Sequence, residues 1–215
     1  LTMAYVWPRA GAKVRVLGNL YGQCEVQQVR KRIGWVSSYL RDMTYGTFRA
    51  TAKAINVVLS GFDASVGLYR APTAAELSAA EAKLEELGCA HLADQSFLKL
   101  SSGEQMKILI GRATVAEPEI LVLDEPCSHL DMRAREQLLQ TIADLTGTPR
   151  HPLIVFVTHR VEDLIPIFTH GLIMKDGRIL AAGPREEILT EPVLRQAFRI
   201  PVKLKHFNGR YWPYL

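Results

Sequence analysis

The chain has 215 residues, 48% hydrophobic and 22% charged, and carries a net charge of +4 with a pI of 9.0. That is apolar enough for one cored domain, or a domain with a small lobe, and rules out a disordered chain. No run of 18 residues is apolar and uncharged, so no membrane-spanning helix is expected, and there is no basic leader with a cleavage site. Cys24, Cys89 and Cys127 have neither paired nor metal-ligand spacing and fit a reducing, cytoplasmic setting. The basic balance suits a nucleotide, nucleic acid or an anionic membrane surface, and it is not clustered enough to choose among them.

Leu1 to Trp7 reads as the last turns of an amphipathic helix stopped at Pro8. Val14 to Leu17 reads as a strand after Gly11, and Ile33 to Val36 as an apolar strand after a basic lead-in over Val29 to Arg32. Thr51 to Leu59 reads as a helix with Ala54, Val57 and Val58 as its stripe. Ala74 to Leu87 is a stronger helix, rich in Ala, Glu, Lys and Leu and stopped at Gly88, and a second helix is expected from Ala90 or His91.

Leu100 to Gln105, LSSGEQ, has the form of a helix start. Ser101 or Ser102 can cap it, with Glu104 or Gln105 about three residues on, and Gly103 lets a bound group come close. The helix then runs from Gln105 to about Ala116, and Pro118 ends it. Such an N-terminus offers free N–H groups to an anion, with phosphate the natural occupant.

Ile120 to Leu123 is a continuous apolar run that suits a strand buried in a parallel sheet. Asp124 and Glu125 must then emerge at its carboxyl end, where open α/β sheets place their ligands. One carboxylate there can orient Mg²⁺ while the next polarises an attacking water. Met132 to Leu145 is a further amphipathic helix, Leu153 to Val157 a further buried strand, and His159 emerges after it. Glu162 starts a short helix ended by Pro166.

Gly171 to Met174 and Arg178 to Ala182 form a hairpin around Asp176-Gly177. Helices follow over Pro184 to Leu189 and Glu191 to Phe198. The tail from Pro201 mixes Lys203, Lys205, His206 and Arg210 with Tyr211, Trp212 and Tyr214 around an Asn208-Gly209 turn. Two readings stay open for it, a nucleic-acid contact and a small hairpin packed on the body.

Four of these stretches, in this order, resemble the motifs of ABC-type ATPases. LSSGEQ is similar to the signature, ILVLDEP to the Walker B strand, Ser128-His129-Leu130-Asp131 to the D-loop, and Thr158-His159 to the switch histidine. The resemblance implies an α/β, P-loop NTPase-like mixed sheet flanked by helices. It also implies a single domain over 1–215, with a helical subdomain at about 45–105 and a C-terminal hairpin and tail at about 170–215.

ATP and Mg²⁺ are the implied ligands. Asp124 supports the metal, Glu125 polarises water and His159 holds the γ-phosphate. Ser101, Ser102, Gly103, Glu104 and Gln105 form the signature that caps ATP bound by a second ABC domain, in a homodimer or a tandem chain. Asp131 helps assemble the facing site. Ser38 falls where the family has the Q-loop glutamine, a departure that puts ordinary transporter coupling in doubt.

A transmembrane permease is the implied partner, with the chain cytoplasmic or peripheral on the inner face of the membrane. IGWVSSYLR, VVLSG, SVGLY and HFNGRYW are similar to stretches of bacterial molybdate-transport-like ATP-binding proteins. The alternative is a soluble ABC protein acting on the ribosome, RNA or DNA. No G-x-x-x-x-G-K-[ST] loop occurs in the 215 residues. The expectation is that the chain lacks the Walker A part that precedes such a sequence, and is inactive alone.

Overall fold

The structure is a computed structural model that describes residues 12–37, 52–65, 67–147 and 151–215. The expected helix over Leu1 to Trp7 and the site residue Ser38 lie outside them. The chain divides into two compact units, Leu1–Val157 and Thr158–Leu215.

The first unit opens with a small antiparallel ribbon, β1 (Arg15–Val16) and β2 (Asn19–Leu20). The expected lead-in before the next strand is instead a helix, α1 (Val26–Lys31), closed by Arg30 and Lys31 at its cationic-favouring C-terminus. β3 (Ile33–Ser37), β4 (Ile120–Asp124) and β5 (Leu153–Val157) form a parallel sheet in the order β3-β4-β5. The central strand is the Asp124 strand, and its Leu121 and Leu123 are fully buried. β5 differs from the expected buried strand, since Leu153 and Val155 are exposed. It pairs with β4 on one side and is a margin of this sheet among the described residues.

Helices α2 (Ala54–Leu59), α3 (Ala74–Glu86), α4 (Ser102–Thr114) and α5 (Met132–Leu145) complete this unit. α3 begins with a full capping box between Thr73 and Glu76. The helix expected from Ala90 is a single 3₁₀ turn, Ala90–Leu92, after which the chain runs through a bridge between Lys53 and Ser96.

α4 is buried along almost its whole length from Gln105 to Thr114. It lies so close to β3 that a Cβ on Gly34 would stand 2.3 Å from the Ala113 carbonyl oxygen. Arg112 is buried on α4, and its guanidinium donates to the Ser65 carbonyl at 2.7 Å and 3.2 Å. Burial pushes it down to about 10, so it stays cationic at neutral pH.

The second unit holds a hairpin, β6 (His170–Lys175) and β7 (Arg178–Pro184), turned by Asp176-Gly177 as expected. α6 (Arg185–Ile188) and α7 (Glu191–Phe198) follow, then a second hairpin, β8 (Lys203–Phe207) and β9 (Arg210–Tyr214). The expected helix from Glu162 is one 3₁₀ turn, Val161–Asp163. This unit has its own core of Val161, Ile188, Leu189, Leu194 and Val202, against which Leu204 and Tyr211 of the last hairpin pack.

Candidate functional site

Asp124 is the last residue of β4, half-buried, with Ser37 and Val157 as its register partners on either side. The pleat cannot hold a second acid, and Glu125 leaves the strand in the left-handed region at φ 51°. Pro126 disfavours a right-handed turn at the residue before it. The Glu125 N–H still donates to the Val157 carbonyl at 2.9 Å, so the backbone is anchored as the chain turns.

Three residues on, the Ser128 N–H donates to the Glu125 carbonyl at 3.1 Å, and its hydroxyl donates to Glu125 Oε2 at 3.2 Å. The carboxylate is thus held by a serine that sequence reasoning treated only as part of a motif. The signal available was the i to i+3 spacing across Glu125-Pro126-Cys127-Ser128, which matches a single turn.

The second part of the site is the start of α4. Ser101 is the N-cap. Its hydroxyl donates to Glu104 Oε2 at 2.6 Å and accepts from the Glu104 N–H at 3.4 Å, while the Ser101 N–H donates to the same carboxylate at 2.8 Å. This resolves which serine caps and which acid answers it. The Ser101 hydroxyl, then its backbone N–H, hold the Glu104 carboxyl below its ordinary range. Ser102 is exposed on the first turn. Gln105 turns inward instead, buried, and donates to the Phe97 carbonyl at 3.1 Å.

Gly103 faces α5, and a Cβ there would stand 3.1 Å from Ala134 Cβ. Asp131 caps α5 by accepting from the Ala134 N–H at 2.8 Å. The starts of α4 and α5 are therefore side by side, with Gly103 as the point of closest approach.

His159 lies two residues beyond Val157, exposed, in the second unit. The Thr158 hydroxyl beside it accepts from the Arg160 N–H at 3.0 Å. No cluster of three metal-ligating side chains occurs among the described residues. Two adjacent, half-buried carboxylates suit Mg²⁺, which binds through one or two protein carboxylates and keeps its waters and phosphate oxygens.

The sequence profile described as ABC transporter matches residues 4–128, more than half of the chain. The chain belongs to the ABC transporter ATP-binding family. It is 38% identical over 200 residues to the uncharacterized ABC transporter ATP-binding protein YlmA of Bacillus subtilis, a match covering 93% of this chain and 74% of YlmA. YmeB of Lactococcus lactis, likewise an uncharacterized ABC transporter ATP-binding protein, is 31% identical over 99% of this chain and 80% of its own length. The molybdenum import ATP-binding protein ModC of Rhodopseudomonas palustris is 34% identical over 52% of this chain and 29% of its own length.

Among solved structures, the ADP conformation of MJ1267, an ATP-binding cassette of an ABC transporter, has a TM-score of 0.70 at 19% identity. It covers 87% of this chain and 76% of MJ1267. A nucleotide-free ABC cassette has a TM-score of 0.65 at 17% identity, over 88% and 74%. The ABC fold, expected from four motifs, is thus shared across the chain. ATP binding goes with the family, as do dimerisation and pairing with a permease. No described helix is long and apolar enough to cross a membrane.

Proposed function

We propose that this chain, when joined to a Walker A loop, forms the ATP-hydrolysing subunit that powers transport of a small anion of the molybdate kind through a separate membrane protein. The observation that carries the reading is the Asp124-Glu125 pair at the carboxyl end of the central parallel strand of an ABC chain. The molybdenum import relatives support import and the oxyanion class.

ATP is the substrate, taken with Mg²⁺, which supplies neutralisation of phosphate charge. Asp124 holds the metal. Glu125 polarises the attacking water, with its carboxylate steadied by the Ser128 hydroxyl. Ser101, Ser102 and Gly103, with Glu104 and Gln105 behind them, cap the γ-phosphate on a second copy in a head-to-tail dimer. Asp131 helps build the facing site, His159 holds the γ-phosphate and Ser38 stands at the Q-loop position. The helices at about 45–105 dock on the permease at the inner face of the membrane. The 215 residues hold no Walker A pattern and, as they stand, are expected not to turn ATP over.

The test is Glu125→Gln in a version of the chain that carries a Walker A loop. Turnover should fall about 100-fold or more, the usual share of a positioned base, while an ATP-bound dimer accumulates on size exclusion. Unchanged turnover would overturn the role of Glu125 and the reading with it.

A further inference from the structure

Residues 192–215 contain Arg195, Arg199, Lys203, Lys205 and Arg210 and not one acid. Five of the 26 basic residues and none of the 22 acidic ones lie there, which leaves 21 against 22 in the preceding 191. The entire positive balance of the chain sits in its last 24 residues. Half of this stretch is the β8-β9 hairpin.

The hairpin register sorts its side chains into two faces. Leu204 and Tyr211 belong to the inward face and pack on the core of the second unit. The other face is built from three cross-strand rows, Lys203 with Tyr214, Lys205 with Trp212, and Phe207 with Arg210. Every row pairs one cation with one aromatic ring, and none contains an acid. Phe207 is 57% exposed and Tyr214 56%. Between them the Arg210 guanidinium lies 4.9 Å from the centre of the Trp212 ring, and the Lys205 ammonium lies 5.8 Å from that of Phe207. Glu191 lies 3.8 Å from Lys203 and is already bound by Arg195 at 2.7 Å, and Arg210 donates to the Glu162 carbonyl at 2.9 Å.

We infer that this outward face binds single-stranded nucleic acid. Its rings stand on successive rows, about 7 Å apart along the strands, which is of the order of one extended nucleotide. Phe207 and Tyr214 offer open ring faces to unpaired bases, with the half-buried Trp212 between them steadied by the Arg210 guanidinium. Lys203 and Lys205, both exposed, run beside the rings as phosphate contacts, while Arg210 is held by the Glu162 carbonyl. A duplex buries its base faces and has no use for exposed rings. A bilayer surface takes a continuous apolar stripe, whereas here a cation interrupts every row and no aliphatic side chain is present.

The test is fluorescence anisotropy of the full chain with labelled oligo(U) and oligo(dT) of about 12 nucleotides, a duplex of equal length, and flotation with phosphatidylserine vesicles. Both single strands should bind more tightly than the duplex. Two phosphate contacts give a slope of log K against log salt of about −1.4. Lys205→Gln should bring it to about −0.7. Phe207→Ala should weaken binding about ten-fold with the slope unchanged. Phe207 is exposed, so the variant should keep its melting temperature and circular dichroism. The inference is overturned if neither oligonucleotide binds at about 50 mM salt. It is equally overturned if the duplex binds as tightly as the single strands, if Phe207→Ala leaves affinity unchanged, or if only the vesicles are bound.

Discussion

Glu76 lies in the first turn of α3, and Arg70 reaches it with two hydrogen bonds, at 2.5 Å and 2.8 Å. Those bonds, then the Thr73 N–H, hold its carboxyl down to about 2. The folded value is below the unfolded one. The stabilisation is therefore present above the ordinary value of 4.5 and is lost as pH falls through about 2. Comparing urea midpoints of the native chain and Glu76→Gln across pH should show a gap at pH 6 that closes toward that limit and shrinks with salt. At the start of α4, Ser101→Ala removes the cap and the hydroxyl that helps the Ser101 N–H anchor Glu104, which should cost about 1 kcal/mol in the same titration.

Between elements, Gly34 of β3 sits against the Ala113 carbonyl of α4 with no room for a Cβ. Gly34→Ala must push α4 off β3, and a cost of about 1–3 kcal/mol or more is expected, read as a fall in melting temperature. The sequence made the bounds of β5, α5 and α7 legible to the residue and those of β4 to within Asp124, because a continuous apolar run and clean helical periodicity each have one sensible structure. It also placed both carboxylates at a strand end. It did not show α1, whose Val26-Gln27-Gln28 start has little apolar stripe, or the shortness of the Ala90 turn. The left-handed backbone at Glu125 and the grip of Ser128 depend on φ and on a bond between side chains, which no periodicity encodes.

At the scale of the whole molecule, each unit has apolar contacts of its own. Leu194 is 1% exposed in the core of the second unit. Leu194→Ala should cost about 2–5 kcal/mol there. Hydrogen exchange should report the loss in residues 158–215 while the amides of β4 keep their protection. Loss spread evenly over both units would show that they unfold as one. The charge follows the same division, since the basic excess that looks unclustered over the whole sequence belongs to the end of the second unit.

The self-capped start of α4 bears on the chain's surroundings. An open helix end draws in whatever small anion is abundant, chloride and free phosphate included. Here the Glu104 carboxylate already sits on the Ser101 N–H and hydroxyl. A stray ion must outbid a tethered carboxylate with no entropy left to lose. An anion held in place by other contacts as well is best able to displace it there, which favours a positioned phosphate over a passing chloride.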